Sequence, residues 1–370
     1  MLEVALKLLK EITSRNYKAY IVGGFVRDTI MGIESSDIDI TTNATPKEIK
    51  EIFTDSCLPN EDYGSVTVIK KGIRFEITTF RKEIGYLNNR RPAEIIYIDD
   101  LYDDLLRRDF VINTLCMDED GTIIDYLGGR DDISNRIIRT VGDSLKSFQE
   151  DSLRILRAIR FATILDFSLS DDVKTSIVEN RYLLKDLSFY RKKEELNKIF
   201  TSPNYKRGIQ LLIDLKLDEY LDIPNLRDVL TSNVSSLIGI WSILNVSDKY
   251  PFNKSELELI HSVNQVLSCN NLDPYILYHY GLYVNSIAYE IKGENVFLVH
   301  EAYHNLAIKS RKDILIDSFM IMKLLNRKPG KYIHEVYESI EKEILYHRLL
   351  NREEDIIQYI LNHYKGVNEE

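Results

Sequence analysis

Asp37 and Asp39 stand two residues apart in Ser36-Asp-Ile-Asp-Ile40, a short way after Gly23-Gly24 and Arg27. Side chains alternate along a strand, so the two carboxylates share one face while Ile38 and Ile40 point into a core. Two carboxylates side by side repel unless a cation lies between them. Hard divalent cations take such oxygens, and Mg2+ usually keeps room for substrate phosphates. Upstream, the apolar run Tyr20 to Val22 reads as a buried strand ending on the Gly pair, with a helix starting near Phe25. Without a Cβ, Gly23 and Gly24 let the backbone approach an anion and offer it N–H groups. Arg27 falls in the first turn of that helix, where negative charge is favoured and a phosphate is within reach. Gly32 stops the helix. Either half alone is ordinary, a strand-to-helix turn or a solvated strand end. Together they are the minimal equipment for phosphoryl transfer.

The elements that must position these groups follow in order. Residues 46–53 form a short helix with Pro46 in its first turn. Residues 63–70 and 73–80 read as a hairpin joined at Lys71-Gly72. Its second strand turns Ile73, Phe75 and Ile77 to one face and Glu76 to the polar one, as a third acidic group, an orienting neighbour or a solvated glutamate. Residues 82–91 lack periodicity and carry Gly and Asn, so they read as a loop. A strand at 94–98 leads to Arg107-Arg-Asp-Phe110, where Asp109 is expected to cap a helix from Phe110 and the arginines are placed for an anion or ribose. A strand at 122–126, a turn at 127–130 and Ile137 to Gly142 close a first domain near residue 145.

The Gly turn with Arg27, Asp28 and the Asp pair resembles the signature of the nucleotidyltransferase superfamily, in the form found in bacterial tRNA nucleotidyltransferases (CCA-adding enzymes) and their poly(A) polymerase relatives. Arg107-Arg108-Asp109-Phe110 matches that family's second motif. The resemblance implies two Mg2+ held by Asp37 and Asp39, and a nucleotide held by Gly24, Arg27 and Arg108. It also implies that the loop at 82–91, closed by Arg90-Arg91-Pro92, is mobile and needed for addition of the terminal A. Relatives that add only CC resemble this family with the loop shortened.

Residues 148–165 read as one helix with an apolar stripe of Ile155, Leu156, Ile159 and Ala162. Its other half carries Glu150, Asp151, Arg154, Arg157 and Arg160. Like charges at this spacing repel by about 0.2–0.5 kcal/mol per pair, a crowding that makes sense when an anion arrives. Cytosine and adenine each present an amino donor beside a bare ring nitrogen, whereas uracil and guanine present the reverse. Asp151 can accept from the amino group and Arg154 can donate to the ring nitrogen, so the pair fits C and A and leaves unpaired groups against U and G. Glu150-Asp-Ser-Leu-Arg154 with Arg157-Ala-Ile-Arg160-Phe161 matches the family's base-selecting motif, in which Arg157 and Arg160 shape the base and triphosphate pocket.

At 370 residues, two or three domains are expected. A net charge of −10 argues against a protein coated in basic charge for non-specific nucleic-acid binding, while leaving room for local patches that read a folded RNA by shape. Three scattered cysteines form no disulfide or zinc pattern, which suits the cytoplasm, and no run approaches the length of a membrane span. The first of seven histidines is His261, so the domain bearing the Asp pair works with carboxylates and arginines.

From about residue 170 onward the chain reads as helix after helix. Ser188 to Leu196 resembles the family's neck motif, where Arg191 and Glu194 would brace the base-reading helix. Tyr275, Tyr278, Tyr280 and Tyr283 read as packing residues. Lys309, Arg311, Lys312, Arg327 and Lys328 form basic clusters that resemble the tail of Bacillus-type members and by analogy touch tRNA phosphates. The expected fold is α+β: a catalytic head (1–145) built on a small sheet, then an all-α neck (146–204), body (205–300) and tail (301–370). The expected activity is template-independent addition of C, C and A to tRNA lacking CCA, from CTP and ATP, by a monomer or homodimer that needs no protein partner. Its rivals are an A-adding half of a split system, a poly(A) polymerase and a non-catalytic RNA-binding scaffold.

Overall fold

The computed structural model describes residues 1–35, 37–54, 57–58, 64–87 and 91–365. It divides into two units, Met1–Pro224 and Asn225–Glu370. In the first, helix α1 (Leu2–Thr13) buries Ala5, Leu8, Leu9 and Ile12, an amphipathic stripe at helical spacing. Strand β1 (Ala19–Val22) runs into helix α2 (Gly24–Met31), which Gly32 terminates in the left-handed region at φ 70°. Strand β2 (Asp39–Thr42) follows, then helix α3 (Pro46–Ile52), whose start is fixed by a Thr45/Glu48 capping box and by Pro46. Strands β3 (Cys57–Leu58), β4 (Ser65–Lys70) and β5 (Ile73–Thr79) come next. The expected hairpin is the β4–β5 pair, while its expected start at Tyr63 lies outside the described residues, as does Ser36.

Residues 82–91 are not a loop, among those described. Strand β6 (Arg81–Leu87) pairs antiparallel with β7 (Arg91–Tyr97) as a separate two-stranded ribbon; residues 88–90, Arg90 included, are outside the described set. Periodicity fails here because the ribbon has no core to face: Ile84, Ile96 and Tyr97 are all exposed. Helix α4 (Leu101–Leu106) follows, capped by Asp100. Asp109 caps no α-helix; only a 3-10 turn, Val111–Asn113, follows it. Strands β8 (Cys116–Met117) and β9 (Ile123–Ile124) complete a seven-stranded sheet in the order β3-β4-β5-β2-β1-β8-β9. One face of it packs Ile21, Ile38, Ile40, Val66, Phe75 and Ile77 against α1.

Helix α5 (Gly129–Ser134) leads to strand β10 (Ile137–Ile138). The helix expected at 148–165 is two, α6 (Ser144–Glu150) and α7 (Leu153–Ile164). They part at Asp151, whose backbone is extended and whose side chain accepts the Leu153 N–H, a local bond that competes with helix continuation. Strand β11 (Ser168–Leu169) pairs parallel with β10 and ties the end of α7 to the head. Helices α8 (Asp171–Asn180), α9 (Phe189–Phe200), α10 (Tyr205–Asp214) and α11 (Asp218–Leu221) finish the unit. Residues 205–224, expected to open the body, thus belong with the first unit. Gly208 explains why: a Cβ there would come within 2.5 Å of Thr163 on α7 and 2.6 Å of Ile199 on α9, so α10 lies backbone-close on both.

The second unit is helical throughout its described residues, from Leu226–Thr231 to Glu353–Tyr364. Its longest element, Pro274–Lys292, is broken at Gly281 (φ 75°, ψ 173°). No described helix is long and apolar enough to cross a membrane.

Candidate active site

The sheet register assembles the site. Val22 pairs with Asp39 across β1 and β2, and Asp39 pairs with Glu76 across β2 and β5. Asp39 therefore lies one residue, in register, from the Gly turn and directly beside Glu76. Asp37, Asp39 and Glu76 are exposed, while Ile38 and Ile40 are buried, as alternation requires. Although the residue is exposed on one side, the protein packed round its carboxyl, together with Glu76 and Asp37, pushes Asp39 up from its ordinary value, and Arg108 only partly offsets them. This row of acids is short of positive charge. Among the described residues no group of three His, Cys, Asp or Glu forms a ready-made metal cage. The donors present are hard oxygens open on one side, which suits a cation that completes its shell with substrate phosphates.

At the turn, Gly23 has φ 81° and ψ −136°, a conformation that needs glycine. Its N–H does not serve an anion, because it donates to the Leu115 carbonyl at 3.1 Å. The flanking guanidinium groups are close: a Cβ on Gly24 would lie 3.5 Å from Arg27 Nη2, and one on Gly23 would lie 3.8 Å from Arg108 Nη1. Arg27 is buried, donates twice to Asp28 Oδ1 (2.8 and 2.7 Å) and once to Asn113 Oδ1 (2.7 Å). Arg108 Nη2 lies 3.3 Å from Asp104, and its Nε is buried without an acceptor among the described residues.

Asp104 is fully buried and binds Arg107, Arg108, the Thr41 hydroxyl and the Arg81 N–H. Burial pushes its carboxyl up, and the two arginines more than reverse this, holding it below its ordinary value. Arg107 also reaches Glu83 on β6, so this cluster fastens the ribbon to the head.

The arginines of α7 are not a crowded solvated face. Arg154 is buried and donates to Ser147 Oγ and to the Arg107 carbonyl, both at 2.8 Å. Arg157 binds Asp109 at 2.7 Å through Nε, and Arg160 binds Glu195 at 3.0 Å. Burial alone would raise the Asp109 carboxyl, but Arg157, Asn113 and the Phe110 N–H bring it down to about 2. Asp151 sits at the α6–α7 break, with Glu150 3.7 Å from Arg154. Asp37, Asp39, Glu76, Gly24, Arg27 and Arg108 thus gather at the sheet end, and Arg157 joins them through Asp109, Asn113 and Arg27.

Among the described residues Arg191 and Glu194 make no hydrogen bond or ion pair to α7; they pair with each other at 3.1 Å on the surface of α9. The bracing acid is the neighbouring Glu195. Sequence reasoning missed it, along with Asp104, Asn113 and Glu83. Asp104 did leave a signal, since it precedes Arg107 and Arg108 by helical spacing. Glu195 left none locally, its partner being 35 positions away.

In the second unit, Arg311 is committed to Glu341 at 2.7 Å and lies over Tyr337, so it is not a free cation. Lys309 lies over Tyr303 and Arg327 over Tyr332, while Lys312 and Lys328 are exposed. Tyr275 and Tyr278 pack against the hydrophobic core of this unit while donating to Glu338 and Glu341, and Tyr280 packs against a neighbouring cluster, as expected; Tyr283 does not, being 55% exposed.

The site is that of a nucleotidyltransferase head joined to a helical segment carrying arginines toward it. Residues 19–139 match the family described as "Poly A polymerase head domain". Residues 166–229 match "Probable RNA and SrmB-binding site of polymerase A", and residues 245–360 match a second domain of tRNA nucleotidyltransferases. The CCA-adding enzyme of Staphylococcus aureus strain bovine RF122 / ET3-1 is 33% identical, covering 99% of both chains. The chain belongs to the CCA-adding enzyme family, the tRNA nucleotidyltransferases. The structure of the Bacillus stearothermophilus CCA-adding enzyme in complex with CTP is similar at TM-score 0.84 and 27% identity, covering 97% of this chain and 96% of that one. A Thermotoga maritima CCA-adding enzyme complexed with tRNA shares the fold at TM-score 0.72 and 22% identity. Family membership implies a divalent metal, and the open row of carboxylates fits one.

Proposed function

We propose that this chain completes the 3′ end of tRNA, adding C, C and A from CTP and ATP without a nucleic-acid template, and that it does so in the cytoplasm. The observation that carries the reading is the register placing Asp39 beside Glu76 and one position from a glycine turn flanked by Arg27 and Arg108. Mg2+ held by Asp37 and Asp39 would supply charge neutralisation of the triphosphate and activation of the tRNA 3′-hydroxyl. Arg27 and Arg108 hold the phosphates and ribose beside the Gly turn. The buried Arg108 Nε, without an acceptor among the described residues, supports a polar ligand there. Asp151 and Arg154 read the base. For this Arg154 exchanges one of its inward bonds, to Ser147 or to Arg107, for the base nitrogen. Lys309, Lys312, Arg327 and Lys328 contact tRNA phosphates, Arg311 serving more as a strut.

The test uses three tRNA transcripts, ending before CCA, after C and after CC, each given Mg2+ with CTP, ATP, UTP or GTP. CCA completion on all three, with UTP and GTP refused, is expected. A-addition to the CC-ended transcript alone would make the chain one half of a split system. Indiscriminate A-tailing would make it a poly(A) polymerase, and no incorporation would leave an RNA-binding scaffold. In the same assay Asp151→Ala is expected to narrow the preference for C and A over U and G by about tenfold or more, as loss of a hydrogen-bonding partner does. tRNA affinity should change much less. A variant that still refuses U and G would sink the readout.

A further inference from the structure

Phe161, half-buried on α7, has three guanidinium groups over its ring. The Cζ atoms of Arg27, Arg157 and Arg160 stand 5.3, 5.5 and 4.4 Å from its centroid. Phe110 meets it edge-on at 5.7 Å and 77°, fixing the plane of the ring. An aromatic face is the negative pole of the ring quadrupole and attracts a cation within about 6 Å of the centroid. Each arginine also has an acid at its back: Asp28 for Arg27, Asp109 for Arg157 and Glu195 for Arg160. These bonds use only part of the five N–H donors of each fork. Arg27 arrives from the Gly turn and the other two from α7, so this ring is where the phosphate side of the site meets the base-selecting helix.

We propose that Phe161 is a positioning residue for nucleotide binding. Its ring gathers Arg27, Arg157 and Arg160 into one cationic cluster, so that a triphosphate entering at the Gly turn engages all three together. Repulsion among the three cations is offset by the ring and the acids while the site is empty, and by phosphate oxygens when it is filled. This inference rests on the reading that these arginines bind the nucleotide.

The experiment places mono-, di- and trifluorinated phenylalanine at position 161 of the full chain. Successive fluorines drain the ring face with little change in volume. Phe161→Leu and Phe161→Tyr accompany the series. Kinetics of single CTP and ATP additions and thermal unfolding are measured for each. KM is expected to rise stepwise, by about tenfold for the trifluorinated ring and for Leu, because binding must then regather arginines that about two modest cation–π contacts had held together. Tyr should keep the parent KM, kcat should move little throughout, and any fall in unfolding temperature should accompany the rise in KM. A KM constant along the fluorinated series, in protein that still adds C and A, would overturn the proposal. So would a fall in unfolding temperature without a change in KM, which assigns the ring to packing. If the unmodified protein binds neither CTP nor ATP, the nucleotide reading itself fails and this inference goes with it.

Discussion

Replacing Asp39 with Asn is expected to abolish addition of both C and A while making the metal-free protein no less stable, and slightly more so. The protein packed round the Asp39 carboxyl, which leaves the residue open to solvent on one side, penalises its charged form, as do Glu76 beside it and Asp37, and Arg108 compensates only in part. Its folded pKa therefore lies above the unfolded value. Such a group favours the folded state fully only below the unfolded pKa, and that contribution is lost as pH rises through the folded pKa. At neutral pH the ionised carboxylate is thus a cost, which Asn removes. Because the side chain is open to solvent, screening limits the gain to a few tenths of a kcal/mol or so. The catalytic loss is far larger. Metal-assisted charge stabilisation is worth several kcal/mol, so a fall of about a thousandfold or more is expected. Extension of CC-ended tRNA with ATP and of unextended tRNA with CTP reads the first effect; thermal unfolding in chelator reads the second. Retained activity would remove Asp39 from metal binding.

The second large effect is at Asp109, where Asn is expected to cost about 2 kcal/mol of stability at neutral pH. The folded pKa of about 2, against an ordinary 3.8, is set by Arg157 and Asn113 working against burial. A lowered carboxylate pKa gives stability that is present above the unfolded pKa and lost as pH falls through the folded one. The difference of nearly two units corresponds to about 2 kcal/mol. Denaturant unfolding of both proteins should show that gap near neutrality and see it close between about pH 4 and pH 2. A gap that persists into acid would mean the carboxylate's charge is not what stabilises the head. Freed from Asp109, Arg157 is also expected to bind nucleotide less well, raising KM more than it lowers kcat.

What the sequence disclosed and what it hid divide by range. The Gly turn, the alternation of Ile38 and Ile40 with the aspartates, the β4–β5 hairpin and the apolar stripe of α7 are written in neighbouring residues. They could be read directly. The end of β7 was expected as the strand at 94–98, but β6 and the ribbon it forms could not be read, because they are held by pairing between strands that bury no core. The break at Asp151 was hidden for a related reason: the periodicity of 148–165 continues through it, and a single side-chain bond to Leu153 interrupts the backbone. The arginines of α7 looked uncompensated because their acids arrive from 48 and 35 positions away. The reading of an anion site was sound chemistry resting on an incomplete count of charge.

Asp104 sets a condition on how the head can be assembled. Its carboxylate, carried by α4, is sealed from water where β2 and the start of β6 meet that helix; Thr41 of β2, the Arg81 N–H of β6, and Arg107 and Arg108 just past α4 each donate to it. A half-built version would leave a desolvated charge wanting partners, at a cost of several kcal/mol. The partners must therefore close on it together. The ribbon and the arginine arm of the site should accordingly lock into place in one cooperative folding event, rather than docking onto a finished sheet one after another.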